Sequence, residues 1–170
     1  MDNIELRQPN VRYLDPLLLM RNAGGRFIDV SSQAGEPFRM PLAARGMAFG
    51  DLDNDGFIDA AINCNDRPAV ILRNEGRNGN HWLLVNTVGT KSNRDGIGAR
   101  MKMLPEGGPA QYGIVTTTGS YLSAGDKRVH FGLGSSRKVK LLEITWPSGI
   151  VQREENLDAD QVLTITERRP

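Results

Sequence analysis

Four aspartates fall within nine residues and form the pattern D-x-D-x-D-G-x-x-D, with Gly56 at the sixth position. When such a segment curls, the carboxylates at positions one, three and five converge, and the glycine permits the sharp turn. A set of oxygen ligands this large suits Ca²⁺, a hard cation that takes six to eight oxygens. We therefore predict a calcium site whose side-chain ligands are Asp51, Asp53, Asp55 and Asp59.

The rest of the loop refines this prediction. Phe57, at the seventh position, is expected to offer its backbone carbonyl to the cation while its ring packs inward. An EF-hand loop begins in the same way, but it needs a glutamate at position 12 between two helices. Position 12 is Ile62, and the flanks have the character of strands. A metal-free polar turn and Mg²⁺ remain as alternatives, although carboxylates this close repel one another unless a cation neutralises them.

Strands must position this loop, because the apolar residues on both sides of it recur with period two. Nineteen glycines and nine prolines add the tight turns that such a chain needs. The expected strands are 17–21, 26–30, 45–49, 58–62, 69–73, 81–88, 97–103, 111–118, 128–132, 138–146, 149–154 and 161–166. The phase of the apolar pattern flips between Leu141 and Leu142, which indicates a bulge. The sequence therefore predicts an all-β chain.

One short segment is repeated. Residues 18–24 (LLMRNAG) resemble residues 70–76 (VILRNEG) 52 positions later, and a spacing of this order is typical of β-propeller blades, although seven residues can also match by chance. A lone blade cannot bury both faces of its sheet, so we expect the rest of a parent propeller as a partner. The repeat stops before 77–80, which have the composition of a linker. The predicted domains are 1–76 and 81–166.

Composition excludes several classes of protein. The net charge is +1, from 21 basic and 20 acidic residues, so no overall field attracts nucleic acid. Cys64 is the single cysteine and cannot form an intramolecular disulfide. No apolar run has the length of a membrane span. We expect that the sequence carries no export signal of its own and is a fragment of a longer precursor. Residues 167–169 have the composition of a charged tail.

The residues around the acidic loop resemble a known family. The segments 45–50 (RGMAFG) before the loop and 58–62 (IDAAI) after it are similar to the FG-GAP or VCBS blade of integrin α-like propellers, over roughly residues 39–76. This resemblance implies that the loop joins the first two strands of a blade and binds calcium. It also implies a partial β-propeller in the first domain.

The second half resembles the ASPIC/UnbV domain, which follows such blades in the cartilage acidic protein family. Four motifs carry the resemblance in the expected order: NRDGIGAR at 93–100, GSYLS at 119–123, HFGLG at 130–134 and WPSG at 146–149. An antiparallel β-sandwich-like domain is expected here, with a tight structural turn at 146–149. The resemblance implies no established reaction.

Other residues with chemical potential have simpler interpretations. His81 and His130 are the only histidines, and a catalytic pair would need one of them beside Asp95 or Asp126. We favour the simpler interpretation of His130, a strand position with the ring on the polar face. The tryptophans, Trp82 and Trp146, could stack on sugars but are more typical of a core. Residues 93–96 (NRDG) could form a second cation site or a plain turn.

Two classes of function remain. The first is a non-catalytic, calcium-binding module for binding or adhesion, with an unidentified protein or glycan ligand. The second is an accessory domain of a secreted or biosynthetic enzyme, or a carbohydrate-binding module. Acids gather in one place without a base or nucleophile, which favours the first class. Because millimolar calcium outside the cell fills even weak sites, we expect an extracellular, periplasmic or cell-surface location.

Overall fold

The computed structural model describes residues 4–65, 67–76 and 79–169. Strands account for 44% of the chain and no α-helix occurs among the described residues, so the prediction of an all-β chain is confirmed. Within the described ranges, no helix is long and apolar enough to cross a membrane. Contacts divide the chain into two compact units, one formed by residues 1–47 and 61–72 and the other by residues 48–60 and 73–170.

The first unit is small and irregular. β1 (Met20–Asn22) and β2 (Phe27–Asp29) form an antiparallel hairpin whose residues are all exposed. Three-residue and four-residue 3₁₀ turns follow at Ser31–Gln33 and Glu36–Arg39. The core of this unit gathers Leu17, Leu42, Ile62 and Cys64.

The acidic loop belongs to a three-stranded sheet. β3 (Ala44–Gly50) precedes the loop, β4 (Asp59–Cys64) follows it, and β5 (Val70–Leu72) completes a three-stranded sheet in the order β3-β4-β5. The loop therefore connects two neighbouring strands of one sheet, which fixes the separation of its two ends.

The remaining strands form two sheets. They are β6 (His81–Val88), β7 (Arg100–Pro105), β8 (Gln111–Ile114), β9 (Val129–Gly134), β10 (Lys138–Thr145), β11 (Val151–Asp158) and β12 (Gln161–Thr166). One sheet has the order β11-β10-β7-β8 and the other the order β12-β6-β9. All pairs are antiparallel except β12 with β6, which is parallel. This arrangement is consistent with the predicted sandwich-like domain.

Alternation along the strands builds the core between these sheets. On β7, Met101 and Met103 are buried while their neighbours are exposed or partly buried, and Phe131 and Leu133 alternate in the same way on β9. These side chains pack with Leu83 of β6 and others in one cluster that draws on both sheets. The β10–β7 register shifts between Val139 and Leu141, one or two residues before the predicted bulge.

The compact units and the predicted domains divide the chain differently. Residues 48–60 and 73–76 belong to the second unit, although they fall in the predicted first domain, 1–76. Units are defined by contacts, whereas a domain is a segment that can fold alone, so the bounds 1–76 and 81–166 stay a prediction. Of the predicted linker 77–80, residues 77 and 78 lie outside the described residues.

Candidate metal centre

The acidic loop between β3 and β4 brings carboxylates together. Asp51, Asp53 and Asp59 each offer an oxygen, and the three oxygens lie within 4.8 Å of one another. Two residues with positive φ give the loop its curl, Asn54 at 59° and Gly56 at 90°. Asparagine is among the few non-glycine residues that tolerate this region, and glycine enters it at no steric cost.

Two of these carboxylates are built into the loop. Asp51 and Asp59 are each 2% exposed. The carboxylate of Asp51 accepts hydrogen bonds from the backbone N–H groups of Asp55 at 3.1 Å and Gly56 at 3.0 Å. That of Asp59 accepts from Leu52 at 3.0 Å and from Asn74 at 2.7 Å. A carboxylate has about four lone-pair positions, so each of these groups can also ligate a cation.

The other two aspartates of the motif face an arginine. The Nη2 atom of Arg73 lies 2.6 Å from Oδ2 of Asp53 and 3.8 Å from Oδ2 of Asp55. These carboxylates are partly exposed, at 34% and 29%. The structure thus places Asp53 with the two buried aspartates, whereas Asp55 is not part of the group of three. The prediction that Asp55 supplies a ligand oxygen remains a prediction.

Phe57 packs and hydrogen-bonds within the loop region. Its N–H donates to Oδ1 of Asp55 at 2.9 Å. Its half-buried ring fills the space over Gly76, where an added Cβ would meet ring carbons at 2.1 Å. The ring therefore packs against the segment after β5, and the assignment of the Phe57 carbonyl as a ligand stays a prediction.

An arginine outside the motif contacts the loop. Arg128, just before β9, donates from Nη1 to Oδ1 of Asn54 at 2.6 Å and from Nη2 to the backbone carbonyl of Asp51 at 2.8 Å. Its Nε donates to Oδ2 of Asp126 at 2.7 Å. The backbone N–H of Asp126 in turn donates to the carbonyl of Phe49 at 3.0 Å. Both ends of the guanidinium fork are thereby satisfied.

Two aromatic side chains contact the apex of the loop. Nε2 of His130, on β9, lies 2.8 Å from the carbonyl oxygen of Gly56, and since a carbonyl only accepts, the imidazole donates. The ring of Trp82, on β6, covers Gly56 so closely that an added Cβ would lie 1.8 Å from Cε2. Sequence reasoning missed Arg128, His130 and Trp82 as neighbours of the loop because no local pattern links them to it.

A third buried acid lies outside the loop, among the residues expected to form a charged tail. Glu167 is 1% exposed, so the tail interpretation is wrong for this residue. One carboxylate oxygen, Oε2, accepts from the consecutive backbone N–H groups of Thr90, Lys91 and Ser92 at 2.7–2.8 Å. The other, Oε1, accepts from the hydroxyls of Ser92 and Ser148.

These bonds perturb the acidity of Glu167. Burial on its own would raise the pKa of the Glu167 carboxyl, but the hydrogen bonds from Ser148, Ser92, Lys91 and Thr90 outweigh it and lower the pKa to about 2. The carboxylate therefore stays charged while it is buried. Since Ser148 lies in the turn at 146–149, where Gly149 N–H donates to the carbonyl of Trp146 at 2.9 Å, the expected tight turn is present and is tied to Glu167.

The remaining candidates have structural partners. Nδ1 of His81 lies 2.6 Å from Oδ2 of Asp160, an exposed pair that the sequence did not indicate. Asp95 pairs with Lys127, and residues 93–96, for which the sequence left a cation site or a plain turn open, are not among the metal-ligating groups of the described residues. Trp146 is 2% exposed and cannot stack on a ligand.

Comparison with known proteins finds a family match within the second unit. The fold and the site define the second unit as a domain of two packed β-sheets that carries an acidic loop. Residues 89–170 match the family model described as ASPIC and UnbV, which confirms that part of the resemblance. No curated protein matches the chain.

The loop residues fit a calcium ion. Two oxygens on opposite sides of one Ca²⁺ are about 4.6–5.2 Å apart, given metal–oxygen distances of about 2.3–2.6 Å. The three carboxylate oxygens lie within 4.8 Å of one another and satisfy this limit. All of these donors are hard oxygens, the type that calcium prefers over nitrogen or sulfur. Asp51, Asp53 and Asp59 would hold the ion, with Asp55 and the Phe57 carbonyl completing the predicted set.

Proposed function

We propose that this chain is a non-catalytic, calcium-binding module for binding or adhesion that works outside the cytoplasm. The observation that carries the proposal is the convergence of Asp51, Asp53 and Asp59 on a space the size of one cation. Their D-x-D-x-D-G-x-x-D spacing, and its resemblance to the FG-GAP or VCBS blade, support the same function. The match of residues 89–170 supports an architecture in which an ASPIC/UnbV domain follows such a blade.

The role of the cation would be structural. Two buried carboxylates, Asp51 and Asp59, stand at the ends of the loop, where their charges repel each other. A bound Ca²⁺ would neutralise them and hold the ends of β3 and β4 in a fixed relation. A weak site of roughly 10⁻⁴ M would fill at extracellular calcium levels, which supports the proposed location.

A partner of the propeller type is supported by an exposed apolar surface. The β1–β2 hairpin leaves Phe27 at 69% and Ile28 at 46% exposure, with Leu18 nearby in the chain at 68%. Apolar side chains at this level of exposure on a short hairpin are typical of a surface that another sheet covers. We therefore propose the other blades of a parent propeller as the structural partner, and an unidentified protein or glycan as the ligand.

Thermal unfolding with and without calcium tests this function. If Ca²⁺ binds the folded state and not the unfolded state, free Ca²⁺ at a hundredfold excess over Kd stabilises the fold by about 2.7 kcal/mol. Chelation of the ion should therefore lower Tm. Asp53→Asn should remove most of this difference, because Asp53 is a partly exposed ligand that pairs with the exposed Arg73. Asp55→Ala should also reduce it if Asp55 is a fifth-position ligand.

The matched control is Asp158→Asn, which removes a similarly charged residue at an exposed ion pair with Lys138 on β10. It should leave the calcium-dependent rise in Tm unchanged. A folded wild-type sample that shows no heat of calcium binding and no change in Tm would disprove the proposed function.

A further inference from the structure

We infer that Arg128, assisted by His130, is a positioning residue that holds the acidic loop in the shape that binds the cation. This inference rests on the proposed function, since it concerns the affinity of the same loop for calcium. Neither residue ligates the ion. Both act through the main chain and through Asn54, so they control where the ligands point.

The contacts of Arg128 reach the loop at two positions. Its fork bonds the carbonyl of Asp51, the first position of the motif, at 2.8 Å and the side chain of Asn54, the fourth position, at 2.6 Å. The planar guanidinium has its donors in a fixed geometry, so it sets the spacing between these two acceptors. Asn54 is held in its left-handed conformation, φ 59°, by a bond that a lysine could not reproduce in the same geometry.

Asp126 offsets much of the electrostatic repulsion between the positive charge of Arg128 and a bound cation. Asp126 accepts from Nε at 2.7 Å and lies 2.5 Å from Nη2 of the same guanidinium. The ion pair is about four-fifths buried on both sides. Arg128 can therefore stand beside a divalent ion as a member of a neutral pair, which separates its positioning role from a simple electrostatic effect.

A third point of attachment fixes the apex. His130 donates to the carbonyl of Gly56 at the sixth position, and the Trp82 ring closes over the same residue. The first, fourth and sixth positions of the loop are thus fixed to side chains of β6, of β9 and of the segment before β9. A loop ordered in advance loses less conformational entropy when it binds its ligand, so these contacts raise affinity without touching the ion.

The side chains that support the loop come from a different part of the sequence than the loop itself. Arg128, His130 and Asp126 lie within residues 89–170, the segment that matches the ASPIC and UnbV family. The acidic loop belongs to the same compact unit as that segment. We conclude that the ASPIC/UnbV segment supplies the outer support of the cation loop, so the blade motif on its own is an incomplete site.

Calorimetric titration with CaCl₂ on the full chain tests this role, with Arg128→Gln and His130→Ala as variants. Loss of an outer partner of a metal ligand typically weakens affinity by 10- to 100-fold. We expect a loss in this range for Arg128→Gln and a smaller loss for His130→Ala. Arg153→Gln, which removes an exposed arginine paired with Glu143, is the matched control and should bind as the wild type does.

Amide hydrogen exchange in the presence of a chelator gives a readout that needs no bound metal. The N–H groups of Asp55 and Gly56 donate to Asp51, so their protection reports the shape of the loop. Arg128→Gln should speed their exchange by about tenfold or more relative to amides of β10, while Arg153→Gln should not.

The outcomes separate this inference from the proposed function. Unchanged calcium affinity in a folded Arg128→Gln variant, or unchanged loop exchange, overturns the positioning role and leaves calcium binding intact. If the wild type binds no calcium, the proposed function fails and the exchange experiment alone decides whether Arg128 orders the loop. If Arg128→Gln does not fold, Arg128→Lys replaces it, and wild-type affinity in that variant also overturns the inference, because lysine lacks the fork.

Discussion

The guanidinium of Arg73 lies 2.6 Å from the carboxylate of Asp53, the third residue of the acidic motif. The Arg73 side chain is 63% exposed and reaches the loop from the segment after β5. Its positive charge therefore neutralises part of the negative charge that would attract a cation to the loop. Arg73 is thus a counter-ion of the Asp53 carboxylate, and a cation bound at the loop would compete with it for that carboxylate.

Replacing this counter-ion should strengthen calcium binding. In Arg73→Gln the ion no longer competes with a guanidinium, and exposed ion pairs are worth at most about 1 kcal/mol, so the gain in affinity should not exceed about fivefold. Titration calorimetry at low and high salt measures it, and the gain should shrink as salt screens the pair. Arg153→Gln controls for the loss of a surface charge, and weaker binding by Arg73→Gln would show that Arg73 supports the site instead.

The glycine at the apex gives a second prediction. Gly56→Ala should abolish calcium binding and destabilise the chain by about 2 kcal/mol or more, because the new Cβ would lie 1.8 Å from Trp82 and φ is 90°. Gly149→Ala is a matched control, since its φ is 88° but nothing lies within 4 Å of the added Cβ. It should cost only the backbone strain, about 1 kcal/mol. Chemical denaturation measures both, and equal losses would mean that contact with Trp82 contributes nothing.

The buried Glu167 predicts a dependence of stability on acid. The pKa of this carboxyl is lowered from 4.5 to about 2 in the folded chain. Its contribution is therefore fully present above about pH 4.5 and is lost as the pH falls toward about 2. Glu167→Gln should destabilise the chain by on the order of 2–3 kcal/mol near neutral pH, because it disturbs a buried carboxylate held by hydrogen bonds.

Thermal unfolding over a series of pH values checks the sign of this effect. The difference in Tm between wild type and Glu167→Gln should narrow as the pH falls through this range. Glu155→Gln, at an exposed position on β11, should show no comparable difference. A gap for Glu167→Gln that widens on acidification would contradict the assignment of the charged form to the folded state.

Much of the fold follows from local patterns. Each of the twelve expected strands overlaps a strand of the structure. In strands such as β7 and β9, burial on one face of a sheet imposes the period of two that the sequence carries. The curl of the acidic loop is equally local, since Gly56 and the aspartates beside it lie within a few residues. The parallel β12–β6 pair escaped prediction because a strand's own sequence does not specify which partner it takes, or in which direction.

The support of the candidate site could not be predicted from sequence in the same way. Arg128 contacts Asn54 across 74 residues, and Glu167 contacts Thr90 across 77. An arginine before a strand and a glutamate in a charged segment are both typical of exposed positions. Only the three-dimensional path of the chain shows that one side chain holds the loop and that the other is buried, with its charge satisfied by backbone N–H groups.

The parallel pairing of β12 with β6 has a consequence for how the protein is made. The partners are 78 residues apart, so the pair closes a long loop, at an entropic cost, before its contacts contribute. During synthesis, β6 presents an unpaired edge until its partner strand, residues 161–166, has also emerged from the ribosome. The sheet is completed only once β12 has emerged, and in the interval the nascent chain is open to chaperones and to pairing with other strands.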